Sequence, residues 1–116
     1  MTVSTFFKDT LFFSPPALDT AGTSTAVLQV AVQDIAACQN FVFQINAASV
    51  GTNVVVRAEG SLNGTNYFNL GSGDTTITAS GVSKLSFADL PVKYVRATLV
   101  SITGGTPTVT FVISAL

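Results

Sequence analysis

From residue 25 onward, hydrophobic and polar positions alternate with a period of two. Leu28, Val30 and Val32 alternate with Gln29, Ala31 and Gln33. Phe41, Phe43 and Ile45 alternate with Val42, Gln44 and Asn46, and Val54, Val56 and Ala58 alternate with Val55, Arg57 and Glu59. A repeat of two is the signature of a half-buried strand, whose successive side chains point to opposite faces of a sheet. Further strand-like runs follow at Tyr67 to Leu70, Thr75 to Thr78, Val82 to Phe87, Lys93 to Ile102 and Thr108 to Leu116, about eight in all. Between them lie turn-forming residues: Ser49 to Asn53 around Gly51, Asn63-Gly64, Gly71 to Asp74, Ser80-Gly81, Asp89 to Pro91 and Gly104-Gly105. Asn63-Gly64 suits a two-residue type I′ turn, which needs positive φ at both central positions, so residues 59 to 70 read as a hairpin. Ala26 to Cys38 is ambiguous: Val27, Val30, Ala31, Asp34, Ile35 and Cys38 also fit a helical stripe, and strand is the preferred reading for Ala26 to Gln33. Short strands about ten residues apart, without alternating helices, predict an antiparallel β-sandwich or jelly roll over residues 25 to 116.

Residues 1 to 24 have no such period. They hold the Pro15-Pro16 pair, which enforces extended backbone, and four of the nine phenylalanines, Phe6, Phe7, Phe12 and Phe13, with Leu11 and Leu18. A solvated tail would not be so aromatic. Two placements are open, a first strand over the chain's own core or an arm on a neighbouring subunit. The hinge-like residues 19 to 25 (DTAGTST) favour the arm, as does a sandwich already filled by the later strands. An extended stretch of 24 residues reaches up to ~80 Å, beyond the radius of so small a domain. Deleting residues 1 to 18 is then expected to leave a folded sandwich that no longer assembles.

Composition narrows the chemistry. The 116 residues are 47% hydrophobic and only 9% charged, with five Lys or Arg, six Asp or Glu, no His and one Cys. That is one domain with a surface of Thr, Ser, Asn and Gln. A net charge of −1 leaves no basic footprint for nucleic acid. Without His, and with a lone Cys, neither the usual general base nor imidazole metal ligands nor an internal disulfide is available. No enzyme, cofactor or metal is expected. Phe6-Phe7 runs at once into Lys8-Asp9, unlike a signal peptide, and no apolar run approaches the ~20 residues of a membrane span.

Asp34, Asp74 and Asp89 sit in or beside turns, where capping of backbone N–H groups is their expected task, and only Gly71 to Asp74 resembles a metal loop. Glu59 is two residues from Arg57, on the same strand face, and an exposed ion pair is expected. Tyr94 and Arg96 share a face opposite Val95, Ala97 and Leu99. With charges so scarce, Arg57, Lys84, Lys93 and Arg96 are candidates for fixing orientation against a partner, beside the plainer task of keeping sheet faces wet. Cys38 reads as a small core residue. The candidate partner-binding set is Phe6, Phe7, Leu11, Phe12, Phe13, Arg57, Lys93 and Arg96.

The segment Val54 to Leu70 (VVVRAEGSLNGTNYFNL), followed by Leu90 to Ala97 (LPVKYVRA), resembles small β-sandwich structural proteins of tailed bacteriophage virions. A looser similarity exists to discoidin-type carbohydrate-binding jelly rolls, and the resemblance covers roughly residues 40 to 115, with departures at Asn63 and Tyr67, where Asp and Trp are commoner. The phage resemblance implies a capsid decoration or cement protein on the outer surface of the virion, assembled in the host cytoplasm. Its partners would be the major capsid protein and further copies of itself, as dimer or trimer, with no nucleic acid and no membrane. Competing readings are a tail, baseplate or head-fibre subunit, and a sugar-binding module using Tyr67, Phe68 and Tyr94. The last requires exposed aromatics, whereas strand alternation turns at least one of Tyr67 and Phe68 inward.

Overall fold

The computed structural model describes residues 11–30 and 38–116. They form an all-β fold, eight strands in one antiparallel sheet that curls into a half-barrel around a single core. Its spine is two long strands, β4 (Phe41–Ser61) and β8 (Tyr94–Ala115), paired along almost their whole length from Phe41 opposite Ala115 to Ser61 opposite Tyr94. Three strands line the free side of β4: β7 (Gly81–Phe87) along Phe41 to Ala47, β6 (Thr75–Ile77) along Val54 to Val56, and β5 (Phe68–Asn69) along Glu59 and Gly60. Residues 11–30 line the free side of β8. There β1 (Leu11–Phe13) pairs with Ile113 to Ala115, Leu18 bridges Val109, β2 (Thr23–Ser24) pairs with Thr98 and Leu99, and β3 (Leu28–Gln29) pairs with Tyr94 and Val95.

The alternation read from the sequence places the core. Phe41, Phe43, Ile45 and Ala47 point inward in one half of β4 and Val54, Val56 and Ala58 in the other, against Val109, Phe111, Ile113 and Ala115 and against Val95, Ala97 and Leu99 of β8. Inward positions are odd-numbered before residue 48 and even-numbered after residue 53, so β4 changes face in between. Register shifts at Ala48/Val50 and Val50/Asn53 mark the change, and the left-handed backbone of Ser49 (φ 56°) helps to make it. Each shift is a bulge, which bends a strand without ending it.

Here the structure corrects two expected turns. Ser49 to Asn53 and Gly104-Gly105 do not separate strands; they lie opposite one another and form a bent corner in one continuous ladder. Gly104 and Gly105 both have positive φ (71° and 69°). A Cβ on Gly51 would stand 2.5 Å from the Gly104 carbonyl carbon, so the two backbones touch where no side chain fits. Pro107, which has no N–H to donate, falls in the stretch between Gly105 and Thr108 that lacks a partner on β4.

The hairpin at 59 to 70 is present, but its turn differs from the expected one. Gly60 pairs with Phe68 and six residues, 62 to 67, connect the strands, and of Asn63 and Gly64 only the glycine has positive φ. Side chains shape the loop instead. The Ser61 hydroxyl accepts the N–H groups of Asn63 and Gly64 (3.2 and 2.9 Å), and Asn63 Oδ1 accepts those of Thr65 and Asn66 (2.9 and 2.8 Å). Cys38 is fully buried in the core. Of the ambiguous Ala26 to Cys38 segment, Leu28–Gln29 is strand, and residues 31–37 lie outside the described residues.

Candidate partner-binding face

The expected partner-binding residues divide between the two ends of a molecule 55 Å long. At one end, β1 lays Leu11 and Phe13 against the core while Phe12, between them, points to solvent and is 72% exposed. Phe6 and Phe7 lie outside the described residues. Phe12 stands opposite Ser114, which stands opposite Val42, which stands opposite Ser86, so one row of outward side chains crosses four strands. The next rows are Val112, Gln44 and Lys84, then Thr110, Asn46 and Val82. Lys84 is the one charge on these rows. A shallow depression of about 330 Å³ opens here between Val42, Ser86, Ala88, Ser114 and Leu116.

At the other end the outward side chains form an ion network. Glu59, 7% exposed, accepts hydrogen bonds from Arg96 Nε (3.1 Å) and the Thr98 hydroxyl, its neighbours on β8. The Ser24 hydroxyl lies 2.7 Å from that of Thr98, which ties the N-terminal segment into the same group. The Arg96 guanidinium also stacks over the Tyr67 ring, 3.9 Å from its centroid. Glu59 and Arg57 meet at 3.9 Å, but the expected exposed pair is a minor contact of a largely buried carboxylate. Arg57 instead grips Asp74, with Nε and Nη2 donating to its two oxygens at 2.7 and 2.9 Å, and Asn69 Nδ2 adds a third hydrogen bond at 3.1 Å. Asp74 is therefore a salt-bridge partner and not a turn cap. The guanidinium bonded to it holds the Asp74 carboxyl below the usual carboxylate range, and the same bond raises the Arg57 pKa further.

The structure thus brings Arg57 and Arg96 together on Glu59 and leaves Lys93 exposed beside them, its backbone paired to Ser61 and Val30. The sequence did not single out Thr98, Ser24 or Asn69 as members. Thr98 lies directly opposite Arg57 across the ladder, a relation fixed by register between distant segments. The expectation that Tyr67 or Phe68 turns inward is corrected: Phe68 is 46% exposed, Tyr67 is half-covered by Arg96, and Leu70 takes the buried position. Tyr94 packs its ring on Gly64. The three aromatics are therefore occupied or scattered and form no flat platform. Among the described residues no group of three His, Cys, Asp or Glu side chains is placed to hold a metal ion.

The same fold occurs in a prophage protein. No family model matches the chain, and no curated protein sequence matches it. Among solved structures, the SPBc2 prophage-derived protein YomS superposes with a TM-score of 0.60 over 91% of this chain and 93% of its own, at 15% identity. A protein of the disulfide-linked pili that form Bacillus endospore appendages aligns over 93% of this chain and 86% of its own at 14% identity, with a TM-score of 0.41.

Proposed function

We propose that this chain is a non-enzymatic structural protein of a bacteriophage particle, a decoration or cement protein that binds the major capsid protein lattice from outside and staples neighbouring capsomers. Its fold, in common with a prophage-derived protein, supports the phage context. The observation that carries the binding part is Phe12, a phenylalanine held out of its own core on a strand whose neighbours Leu11 and Phe13 are packed in. The chain that precedes it carries Phe6 and Phe7. Each buried phenylalanine contributes about 1.5 to 3 kcal/mol, so a few of them on the shell supply a useful binding energy per copy. Repetition over a closed shell lets modest contacts act together, with homo-oligomers presenting several arms at once. Arg57, Lys93 and Arg96, at the far end, then serve orientation more than affinity.

The test is co-sedimentation with shells assembled from the major capsid protein. Because Leu11, Phe13 and Leu18 belong to the sheet, the informative deletion is residues 1 to 10 and not 1 to 18. That deletion is expected to leave the β-sheet circular dichroism unchanged and to weaken shell binding about 100-fold, with Phe12→Ala weakening it about tenfold. Equal binding by all three proteins, or binding to tails in place of shells, would sink the decoration reading.

A further inference from the structure

The two free sides of the sheet are treated differently. Beside β8, residues 11 to 30 run along the strand from Ala115 to Lys93, with backbone hydrogen bonds at Leu18–Val109, Gly22–Leu99, Thr25–Ala97 and Val30–Lys93. That side of β8 is covered, and the edge it now presents is made of strands only 3, 2 and 2 residues long. Beside β4, the outermost strand β7 pairs with β4 alone among the described residues. Its seven residues follow one unbroken register, from Gly81 opposite Ala47 to Phe87 opposite Phe41, without bulge or proline and with Lys84 as its only charge. Natural sheets protect an edge with short strands, bulges, prolines or several charges, because unpaired N–H and C=O groups are a template for another strand. Beyond its one lysine β7 has none of these. On its inner side, Leu85 and Phe87 pack against the core but stay partly uncovered.

We propose that β7 is the homodimer interface, pairing antiparallel with β7 of a second copy about a two-fold axis. The proposal rests on the homo-oligomer in the reading above and is independent of shell binding. A second copy fits this edge because the register centred on Leu85 pairs residues 83 to 87 of both strands with apolar and small side chains facing, where one centred on Ser86 would pair only residues 85 to 87. With Leu85 opposite Leu85 of the partner subunit, Phe87 faces the partner's Ser83 and Lys84 faces the partner's Ser86. The half-covered Leu85 and Phe87 of both copies then close over one another. Centring the pair on Lys84 would set two like charges directly opposite, which is unfavourable, and centring it on Ser83 would leave Phe87 without a partner. The product is a two-fold sheet whose outermost strands are β1, β2 and β3, only 3, 2 and 2 residues long, and edges so short resist further pairing, so association stops at the dimer.

Light scattering coupled to size exclusion, with disulfide trapping, tests this. The full chain is expected to run as a dimer. Leu85→Cys should give a covalent dimer under mild oxidation, because facing Cβ atoms on paired strands lie within about 5.5 Å, while Val82→Cys should not. Thiols are blocked before denaturation so that the buried Cys38 does not contribute. Leu85→Glu should raise the dimer dissociation constant about 100-fold or more with unchanged circular dichroism, and Lys84→Glu, on the outer face, should fold equally well and still dimerise. A full chain that stays monomeric up to the millimolar concentrations that neighbouring copies reach on a shell overturns the proposal. So does a dimer indifferent to Leu85→Glu whose Leu85→Cys form fails to cross-link. A trapped dimer that binds no shell supports the interface and removes the decoration role, and a monomer that binds shells does the reverse.

Discussion

The two ends of the β4–β8 ribbon have the same backbone pairing and opposite outer faces. Around Phe41 to Ala47 and Val109 to Ala115, the outward rows are Ser, Val, Gln, Asn and Thr with Lys84 as their one charge, and Val42, Val82 and Phe12 stand exposed. Around Val54 to Ser61 and Tyr94 to Leu99, half of the eight charged side chains among the described residues are gathered into one network, and Glu59 at its centre is nearly buried. A chain so poor in charge does not spread it evenly. The charged end satisfies itself internally, so what it offers a partner is orientation more than affinity. The uncharged end has nothing to hold its outer face, and that face is where a partner gains most by burying it.

The corner between the ends is where the comparison breaks most easily. Gly105→Ala would add a methyl group 2.7 Å from the Gly51 nitrogen on a backbone with φ of 69°, so overlap and strain act together. A loss of about 3 kcal/mol or more is expected in urea unfolding. Gly22→Ala is the control. Its φ is 82° but no atom lies within 4 Å of the new methyl, so strain alone applies and about 1 kcal/mol is expected. Similar costs at the two positions would mean that the close approach of the strands does not hold the corner.

The charged end should respond next. Glu59→Ala removes the acceptor shared by Arg96 and Thr98 and leaves two donors, one of them on a buried threonine, without their partner. The expected loss is about 2 kcal/mol, below that of a fully buried pair because Arg96 keeps 29% exposure. Glu59→Gln keeps an acceptor and should lose less than half as much. Hydrogen exchange should locate the damage in Tyr94 to Leu99 and in residues 23 to 25, while Phe41 to Ala47 stays protected. Uniform loss of protection would show that the two ends unfold as one unit.

The alternation made the all-β class and the inward residues legible, since Phe41, Phe43, Ile45, Val54, Val56 and Ala58 stand where a period of two puts them. Glycine marks a bend here and not the break between strands that turn chemistry predicts. Gly51 and Gly104-Gly105 look alike as turns in one dimension, and only the pairing of β4 with β8 shows that they face each other. The charged site was half legible for the same reason. Arg57 and Glu59 are neighbours on one strand and can be paired by spacing, whereas Arg96, Thr98 and Ser24 reach Glu59 through a register that no local pattern encodes. The Phe-rich start was visible as a feature. Its division into packed Leu11 and Phe13 and outward Phe12 depends on which strand it joins.

The smallest effect should come from the periphery of the network, and its sign follows from proton linkage. Arg57 donates to both oxygens of Asp74, and this bonding holds the folded carboxyl below its ordinary value of about 3.9. The folded state therefore binds that proton less readily than the unfolded chain. The contribution of the pair is complete above the ordinary value and is lost as pH falls through it toward the lower folded value. Asp74 and Arg57 are both open to solvent, so water and salt screen the pair. Asp74→Asn should lower Tm slightly at neutral pH and low salt, with a gap to the parent that narrows in acid and with added salt. Substitutions on the uncharged rows, such as Phe12→Ala or Val42→Thr, should give a Tm difference that stays constant over the same acid range. If the Asp74→Asn gap were also constant with pH, the salt bridge would contribute nothing, and the contrast between the two ends would rest on Glu59 alone.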